Sequence, residues 1–189
     1  MLQDNRNRYC YSIFTTIVGD IGVVCNGFYK KEKIIEIFLP KPGRITKNFI
    51  EEVYPGAEPV STPLVDKISE QIRQFLKGRI THFHLENIDL SRLYNFQKKV
   101  LLLERKIPYG WVSTYGRLAH KLGTPGASRA VGQALARNPF PIIIPCHRTI
   151  KSDGSLGGFR GGIKLKRQLL ELEGVKFDRR RRVIMEKVW

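Results

Sequence analysis

The amino-acid pattern of this chain changes near residue 90, and that change constrains the fold more than any other feature. Before it, short runs of β-branched and aromatic residues predict strands at 9–18, 21–29 and 33–39, a three-stranded meander, with a further possible strand at 79–90. Helices are predicted at 45–54 and at 62–77, where Thr62 can cap and Pro63 suits the first turn. Beyond it, the apolar residues repeat at helical spacing, and helices are predicted at 91–106, capped by Ser91, and at 115–123, 128–137 and 163–174. The chain is therefore expected to be α+β, with domains at 1–88 and 89–189.

Positive charge is concentrated in the second half of the chain. Residues 1–92 hold 13 Lys and Arg against 11 Asp and Glu, a net charge of +2, whereas residues 93–189 hold 20 against 6, a net charge of +14. This asymmetry favours a polyanionic partner, nucleic acid first and an anionic membrane surface second. The alternative is a solvated basic surface of the kind found in proteins of heat-loving organisms. The run of arginines at 179–182 is a solvated tail or edge strand, or else a phosphate contact.

Two short helices in the basic half have the layout of a helix-turn-helix. Residues 115–123 end at Gly123, a tight TPGA connection follows, and residues 128–137 form the second helix. That helix is built from small residues, Ala130, Gly132, Ala134 and Ala136. Small side chains let its backbone approach either another helix or a DNA groove, and the pattern alone leaves both open.

The cysteines and the overall composition indicate an intracellular protein. Cys10, Cys25 and Cys146 form no C-x-x-C pair and do not suggest a disulfide framework, so we expect reduced thiols, although the sequence leaves a Cys10–Cys25 disulfide open. The polar first residues resemble no signal peptide, and no apolar run is long enough to span a membrane. A soluble, cytoplasmic protein is expected.

The segment NPFPIIIPCHRTI places a thiol, an imidazole and a guanidinium in succession, at Cys146, His147 and Arg148. Neighbours on a strand point to opposite faces, so Cys146 and His147 can couple only if the chain turns there. A nucleophilic cysteine also needs a base, and the base needs a third group to orient it. The acids available in this half are Glu104, Asp153, Glu171, Glu173, Asp178 and Glu186. A structural cysteine that ends a buried strand is the alternative.

Three segments together resemble the C-terminal domain of the O6-alkylguanine-DNA alkyltransferases. They are IPYGWVSTYGRLA, SRAVGQALARNPFPIIIPCHRTI and GGFRGGIKLKRQLLELEG, in family order over about residues 91–175. The resemblance implies an N-terminal ribonuclease-H-like domain and a C-terminal domain with a winged helix-turn-helix. It also implies DNA repair: the alkyl group of O6-alkylguanine, or of O4-alkylthymine, passes from double-stranded DNA to the protein's own cysteine. Each molecule would act once, as a monomer, with no cofactor and no obligate protein partner.

The resemblance also assigns roles to individual residues. Cys146 would accept the alkyl group, His147 would act as base through a water, Glu173 would orient it, and Asn138 would hold the turn together. Arg148 would be a structural or electrostatic support. Tyr115 would crowd the target phosphate and Arg129 would fill the stack vacated by the flipped base, on a helix that enters the minor groove. The remaining contacts would be made by Ser128, Ala130 and Gly132 with DNA, and by Leu135, Pro141, Phe159 and Arg160 around the base.

Some features depart from the family pattern. Phe159 stands where many members have Tyr, and Arg160 would close the pocket or contact a phosphate. Some members bind zinc in the N-terminal domain; Cys10, Cys25, His82 and His84 could supply four ligands, but their spacing matches no standard pattern, and we expect no metal.

Three other functions remain open: a lesion-binding protein without transfer, a winged-helix regulator, and a Cys-His hydrolase that turns over.

Overall fold

The computed structural model describes residues 9–26 and 32–189. Its contacts divide the chain into two compact units, Met1–Asp89 and Leu90–Trp189, each with its own core. Within the described residues, no helix is both long enough and apolar enough to cross a membrane.

The N-terminal unit is built on an antiparallel meander. Strands β1 (Tyr9–Thr16), β2 (Gly19–Asn26) and β3 (Lys33–Phe38) pair in the order β1-β2-β3. The end of the second predicted strand, residues 27–29, lies outside the described residues. Helices α1 (Thr46–Val53) and α2 (Pro63–Leu76) pack against the sheet. The predicted cap of α2 is confirmed, since the Thr62 hydroxyl accepts a hydrogen bond from the Val65 amide.

The strand predicted at 79–90 is wrong. Residues 85–87 tighten into a 3-10 helix, in which the Asn87 amide bonds to the His84 carbonyl. Only Ile88 bridges to the sheet, beside Ile34. The pairing does not extend to earlier residues because residues 85–87 are wound into the 3-10 helix and are not extended.

The expectation of reduced thiols throughout the chain is also wrong for one pair. Cys10 and Cys25 lie directly opposite each other on β1 and β2, are fully buried, and form a disulfide. Their register, which the spacing in the sequence does not show, brings the sulfur atoms together. Glu32 lies beside them, whereas His82 and His84 do not belong to this cluster. Sulfurs bonded to each other cannot act as thiolate ligands, so the four-residue zinc set does not fit this structure.

The C-terminal unit is mostly helical. It contains α3 (Asn95–Glu104), α4 (Tyr115–Lys121), α5 (Ser128–Ala136) and α6 (Gly162–Leu172). Between them, β4 (Ser113–Thr114) and β5 (Thr149–Ile150) pair in parallel. Thr114 caps α4 through the Arg117 amide. Helix α3 begins later than predicted, because residues 91–94 form a turn and Ser91 does not cap it.

The chain after α6 folds back onto this unit and is not a free tail. Its valines join a core cluster, and Val188 bridges to Val112, just before β4. The cluster consists of Val112, Ile150, Leu156, Leu170, Val175 and Val183. The basic run at 179–182 therefore sits on an anchored segment.

Candidate active site

The segment around Cys146 is a turn, as predicted. Residues 146–148 form a short 3-10 helix, closed by a hydrogen bond of 2.8 Å from the Arg148 amide to the Pro145 carbonyl. Just before it, Ile142 has a φ of 74°. A β-branched residue in that left-handed region is strained, so the surrounding contacts must hold this approach to the cysteine in place.

Asn138 holds the turn from the inside. Its amide nitrogen donates to the Ile144 carbonyl at 2.9 Å and to the Cys146 sulfur at 3.2 Å. Its carbonyl oxygen accepts from the Phe140 amide at 2.9 Å. One buried side chain thus fixes both the backbone before the cysteine and the position of the sulfur itself.

His147 and Arg148 converge on one carboxylate. The imidazole Nε2 lies 2.8 Å from Glu173 Oε1, and both side chains are fully buried. The guanidinium of Arg148 binds the same carboxylate through two nitrogens, each at 2.8 Å, and donates to the Ile107 carbonyl at 2.6 Å. Paired donors of this kind form strong hydrogen bonds with a carboxylate. Arg148 is therefore a support for Glu173, as the sequence suggests.

The charges in this group are well defined. Burial alone would raise the pKa of Glu173, but His147 and Arg148 outweigh it and lower that pKa to about 2. An ionised carboxylate only accepts hydrogen bonds, so the proton of the imidazole lies on Nε2 and the lone pair on Nδ1. Burial lowers the pKa of His147 below its usual value, which keeps the ring neutral. Burial also raises the pKa of the Cys146 thiol to about 11, although the Asn138 amide lowers it. At rest the site thus holds a neutral thiol, a neutral base and an anion behind the base.

The sulfur faces a cavity of about 600 Å³. The cavity brings together seven of the predicted DNA-binding and pocket residues, Tyr115, Ser128, Arg129, Gly132, Leu135, Phe159 and Arg160. Lys151, Gly157 and Gly158 also line it, although the sequence gives no role to any of them.

Two predicted residues do not line this cavity. Ala130 is exposed on α5, one residue past the cavity wall. Pro141 is buried and forms a backbone bridge to Ile144, and its predicted contact with the base stays a prediction. Arg160 reaches back and donates to the Asn138 carbonyl at 3.3 Å.

Glycines determine how closely Tyr115 packs. A Cβ at Gly132 of α5 would lie 3.7 Å from the Tyr115 ring, an ordinary contact. A Cβ at Gly157 would lie 2.8 Å from the Tyr115 hydroxyl oxygen, and Gly157 has a φ of +68°. Only glycine suits that second position.

A second buried charge cluster lies against the turn, and the sequence does not reveal it. Lys166 of α6 is fully buried and donates to the Thr149 carbonyl at 2.6 Å and to the Gly158 carbonyl at 3.3 Å. It thereby ties the strand that follows the cysteine to the glycine-rich wall of the cavity. Glu104, one of the six acids considered for orienting His147, accepts instead from the Thr149 hydroxyl. Burial raises the pKa of Glu104 to about 8 and lowers that of Lys166 to about 8.

Comparison with known proteins agrees with this geometry. Residues 95–175 match the family model described as the 6-O-methylguanine DNA methyltransferase DNA-binding domain. A methylated-DNA–protein-cysteine methyltransferase of Methanosarcina acetivorans is 36% identical over 171 residues, 87% of this chain and 97% of the relative. The chain belongs to the methylated-DNA–protein-cysteine methyltransferase family.

Other relatives match over a shorter length. The methylated-DNA–protein-cysteine methyltransferase of Methanothermobacter thermautotrophicus is 44% identical over 114 residues, so the match spans 64% of that relative and 60% of this chain. Among solved structures, Mycobacterium tuberculosis OGT in complex with DNA is 33% identical with a TM-score of 0.69, covering 86% of this chain and 91% of that one. The methyltransferase fold of this family thus extends over most of the chain.

Proposed function

We propose that this protein repairs DNA by moving the alkyl group of O6-alkylguanine onto its own Cys146. The observation that carries the proposal is the placement of the Cys146 sulfur, at the cavity and with Asn138 and the Glu173-bound His147 behind it. A relative was solved in complex with DNA, which supports DNA as the partner. We expect O4-alkylthymine to react by the same route, and the protein to act as a monomer.

The chemistry follows from the charges of the site. The Cys146 proton passes through a water to Nδ1 of His147, and Glu173 balances the imidazolium. The thiolate then attacks the alkyl carbon; the S–C bond forms as the O6–C bond breaks, and the bonding pair stays on the guanine oxygen. Guanine takes up the proton that the thiol released. The thioether cannot release its alkyl group to a second base, so each molecule acts once.

We further propose that the target base leaves the duplex to reach the sulfur. A base within the stack is inaccessible to a buried side chain, and flipping costs least at a damaged pair. Helices α4 and α5, with the residues between them, would act as a winged helix-turn-helix whose second helix enters the minor groove. Arg129, exposed on α5 at the cavity, would fill the gap in the stack. The N-terminal unit would have the ribonuclease-H-like fold of the family.

The deciding experiment is to incubate the protein with duplex DNA that contains O6-methylguanine and to measure its mass. We expect a gain of one methyl group, located on Cys146 by peptide mapping and saturating at one per molecule. Tight binding with no mass gain would indicate a lesion-binding protein or a regulator, and release of product over many turnovers would indicate a hydrolase. Any of these results would refute the proposal.

The flipping step has its own test. Arg129→Ala should slow the reaction with duplex DNA more than the reaction with free O6-benzylguanine, which needs no flipping. Arg137→Ala is the matched control, because Arg137 is also exposed at α5 but does not line the cavity. Equal losses for the two substrates in Arg129→Ala would contradict the assigned role.

A further inference from the structure

The turn at residues 178–182 is a hydrogen-bonded, strongly basic surface that the reaction described above does not use. Its backbone is closed by Asp178, whose amide donates to the Arg182 carbonyl at 2.8 Å and whose carboxylate accepts from the Arg182 amide at 2.8 Å. A bridge between Phe177 and Val183 follows immediately outside it. Val183 is buried in the core of the C-terminal unit, so the turn is anchored to that core.

Backbone strain and charge repulsion at these arginines destabilise the turn when no partner is bound. Residues 179–182 are all exposed, and Arg181 has a φ of 60°. Left-handed backbone favours glycine, so an arginine there strains the turn. Across the described ranges, no carboxylate forms a salt bridge with Arg179, Arg180 or Arg181. The guanidinium groups outnumber the single carboxylate of the turn, Asp178, so they repel one another, and a polyanion would relieve that repulsion.

The turn is joined to the wall of the cavity. The Val183 amide donates to the Gly154 carbonyl at 2.9 Å, and an Arg182 nitrogen donates to the Asp153 carbonyl at 3.4 Å. The Gly154 amide in turn donates to the carbonyl of Lys151, which lines the cavity. These hydrogen bonds fix the turn relative to the cavity wall, so an anion held by the arginines has a fixed position relative to the occupant of the site. Guanidinium is also the side-chain group best suited to bind phosphate through paired donors.

We propose that the turn at 178–182 binds phosphates of the same DNA duplex whose damaged base enters the cavity, through Arg179, Arg180 and Arg181. This inference rests on the proposed function and adds to it a second DNA contact, apart from the helices α4 and α5. Phosphate contacts carry no base specificity, so the turn strengthens binding to all sequences and fixes the position of the duplex beside the cavity.

The test is the salt dependence of binding to an undamaged duplex. The triple variant Arg179→Gln, Arg180→Gln, Arg181→Gly removes three charges, and glycine also relieves the left-handed backbone. Arg182 stays, because it packs against Gly154 and bonds to Asp153. Each lost phosphate contact should reduce the slope of log Kd against log salt by about 0.9. The increase in Kd between 50 and 200 mM salt then becomes about 3.5-fold smaller for each lost contact. We expect a reduction of at least about 0.9, measured by fluorescence anisotropy.

The matched control removes the same charge from the N-terminal unit, at the exposed residues Lys67, Lys77 and Arg79, each replaced with Gln. The control should keep the wild-type slope, or change it less than the triple variant does. The triple variant should melt no lower than wild type, since it loses strain and repulsion, and it should keep the wild-type rate with free O6-benzylguanine because its cavity is intact. A wild-type slope in the triple variant would overturn the inference while leaving the alkyl transfer standing. If that variant also bound phosphatidylserine vesicles more weakly than wild type does, the turn would be assigned to a membrane surface.

Discussion

Glu173 should contribute more to the stability of the C-terminal unit than any surface carboxylate. Glu173→Gln keeps the shape of the side chain and removes its charge, which leaves the Arg148 guanidinium in a buried site without a counter-ion. Removing one member of a buried ion pair typically costs about 3–5 kcal/mol. An independent figure comes from titration. A carboxyl whose pKa falls from 4.5 to about 2 on folding contributes about 3 kcal/mol.

The two figures agree, and the second also fixes the pH dependence. The folded-state pKa of Glu173 is depressed, so its contribution is fully present above pH 4.5 and is lost as the pH falls through about 2. The difference in unfolding free energy between wild type and Glu173→Gln should therefore be about 3 kcal/mol at pH 7 and should shrink towards zero near pH 2. Taking the difference cancels the acidic groups that do not contact Glu173.

The measurement is urea unfolding followed by tryptophan fluorescence at a series of pH values. Both tryptophans, Trp111 and Trp189, belong to the C-terminal unit, so the signal reports on that unit. Glu171→Gln is the matched control, since Glu171 lies two residues before Glu173, in the last turn of α6, and forms an exposed pair with Arg167 at 2.8 Å. It should cost less than about 1 kcal/mol. A loss below about 1 kcal/mol for Glu173→Gln, or a loss that is equal at pH 7 and pH 2, would refute the reasoning.

Three further substitutions test the site around the sulfur. Gly157→Ala should destabilise the protein by about 1–3 kcal/mol and slow the reaction with O6-benzylguanine, because Gly157 has a φ of +68° and the added Cβ would lie 2.8 Å from the Tyr115 hydroxyl oxygen. The control Gly158→Ala should have neither effect, since its added Cβ would meet nothing within 4 Å. Asn138→Ala removes a hydrogen bond that lowers the Cys146 pKa, so the midpoint of the pH profile for iodoacetamide labelling should lie higher than in wild type; an unchanged midpoint would contradict this. Glu104 has a raised folded-state pKa, so its contribution is fully present below pH 4.5 and is lost as the pH rises through about 8. The unfolding free energy of wild type should fall relative to that of Glu104→Leu between pH 5 and pH 8, and parallel curves would count against the assignment.

The sequence predicts the active-site turn because the turn is local. Pro145 precedes Cys146, and a coupled Cys146–His147 pair requires the chain to bend at that point, so the 3-10 helix follows from adjacent residues. Glu173 is found in the sequence only through the family resemblance, since nothing near it distinguishes it from Glu171. The pairing of Arg148 with Glu173 depends on how α6 packs, and spacing along the chain does not encode that.

Neither the burial of Lys166 nor the 3-10 turn within residues 79–90 is evident from the sequence, because both depend on tertiary contacts. Lys166 lies between the buried positions Leu165 and Leu169 of α6, and a lysine at such a place is normally expected to reach solvent. It stays inside because the Thr149 and Gly158 carbonyls accept its protons, a match that tertiary structure alone provides. In residues 79–90, the apolar alternation satisfies the strand rule, but only Ile88 finds a partner in the sheet.

The burial that raises the pKa of Cys146 also suits the single use proposed for this residue. A neutral thiol with a pKa of about 11 is poorly reactive towards stray electrophiles, because only the thiolate is a good nucleophile. On the proposed route the thiolate forms only when a base fills the cavity and His147 takes the proton. The thioether that results carries no charge, so the product is freed from the desolvation that opposes the thiolate. Because the resting thiol and the thioether are both neutral, burial on this route disfavours only the thiolate that forms between them.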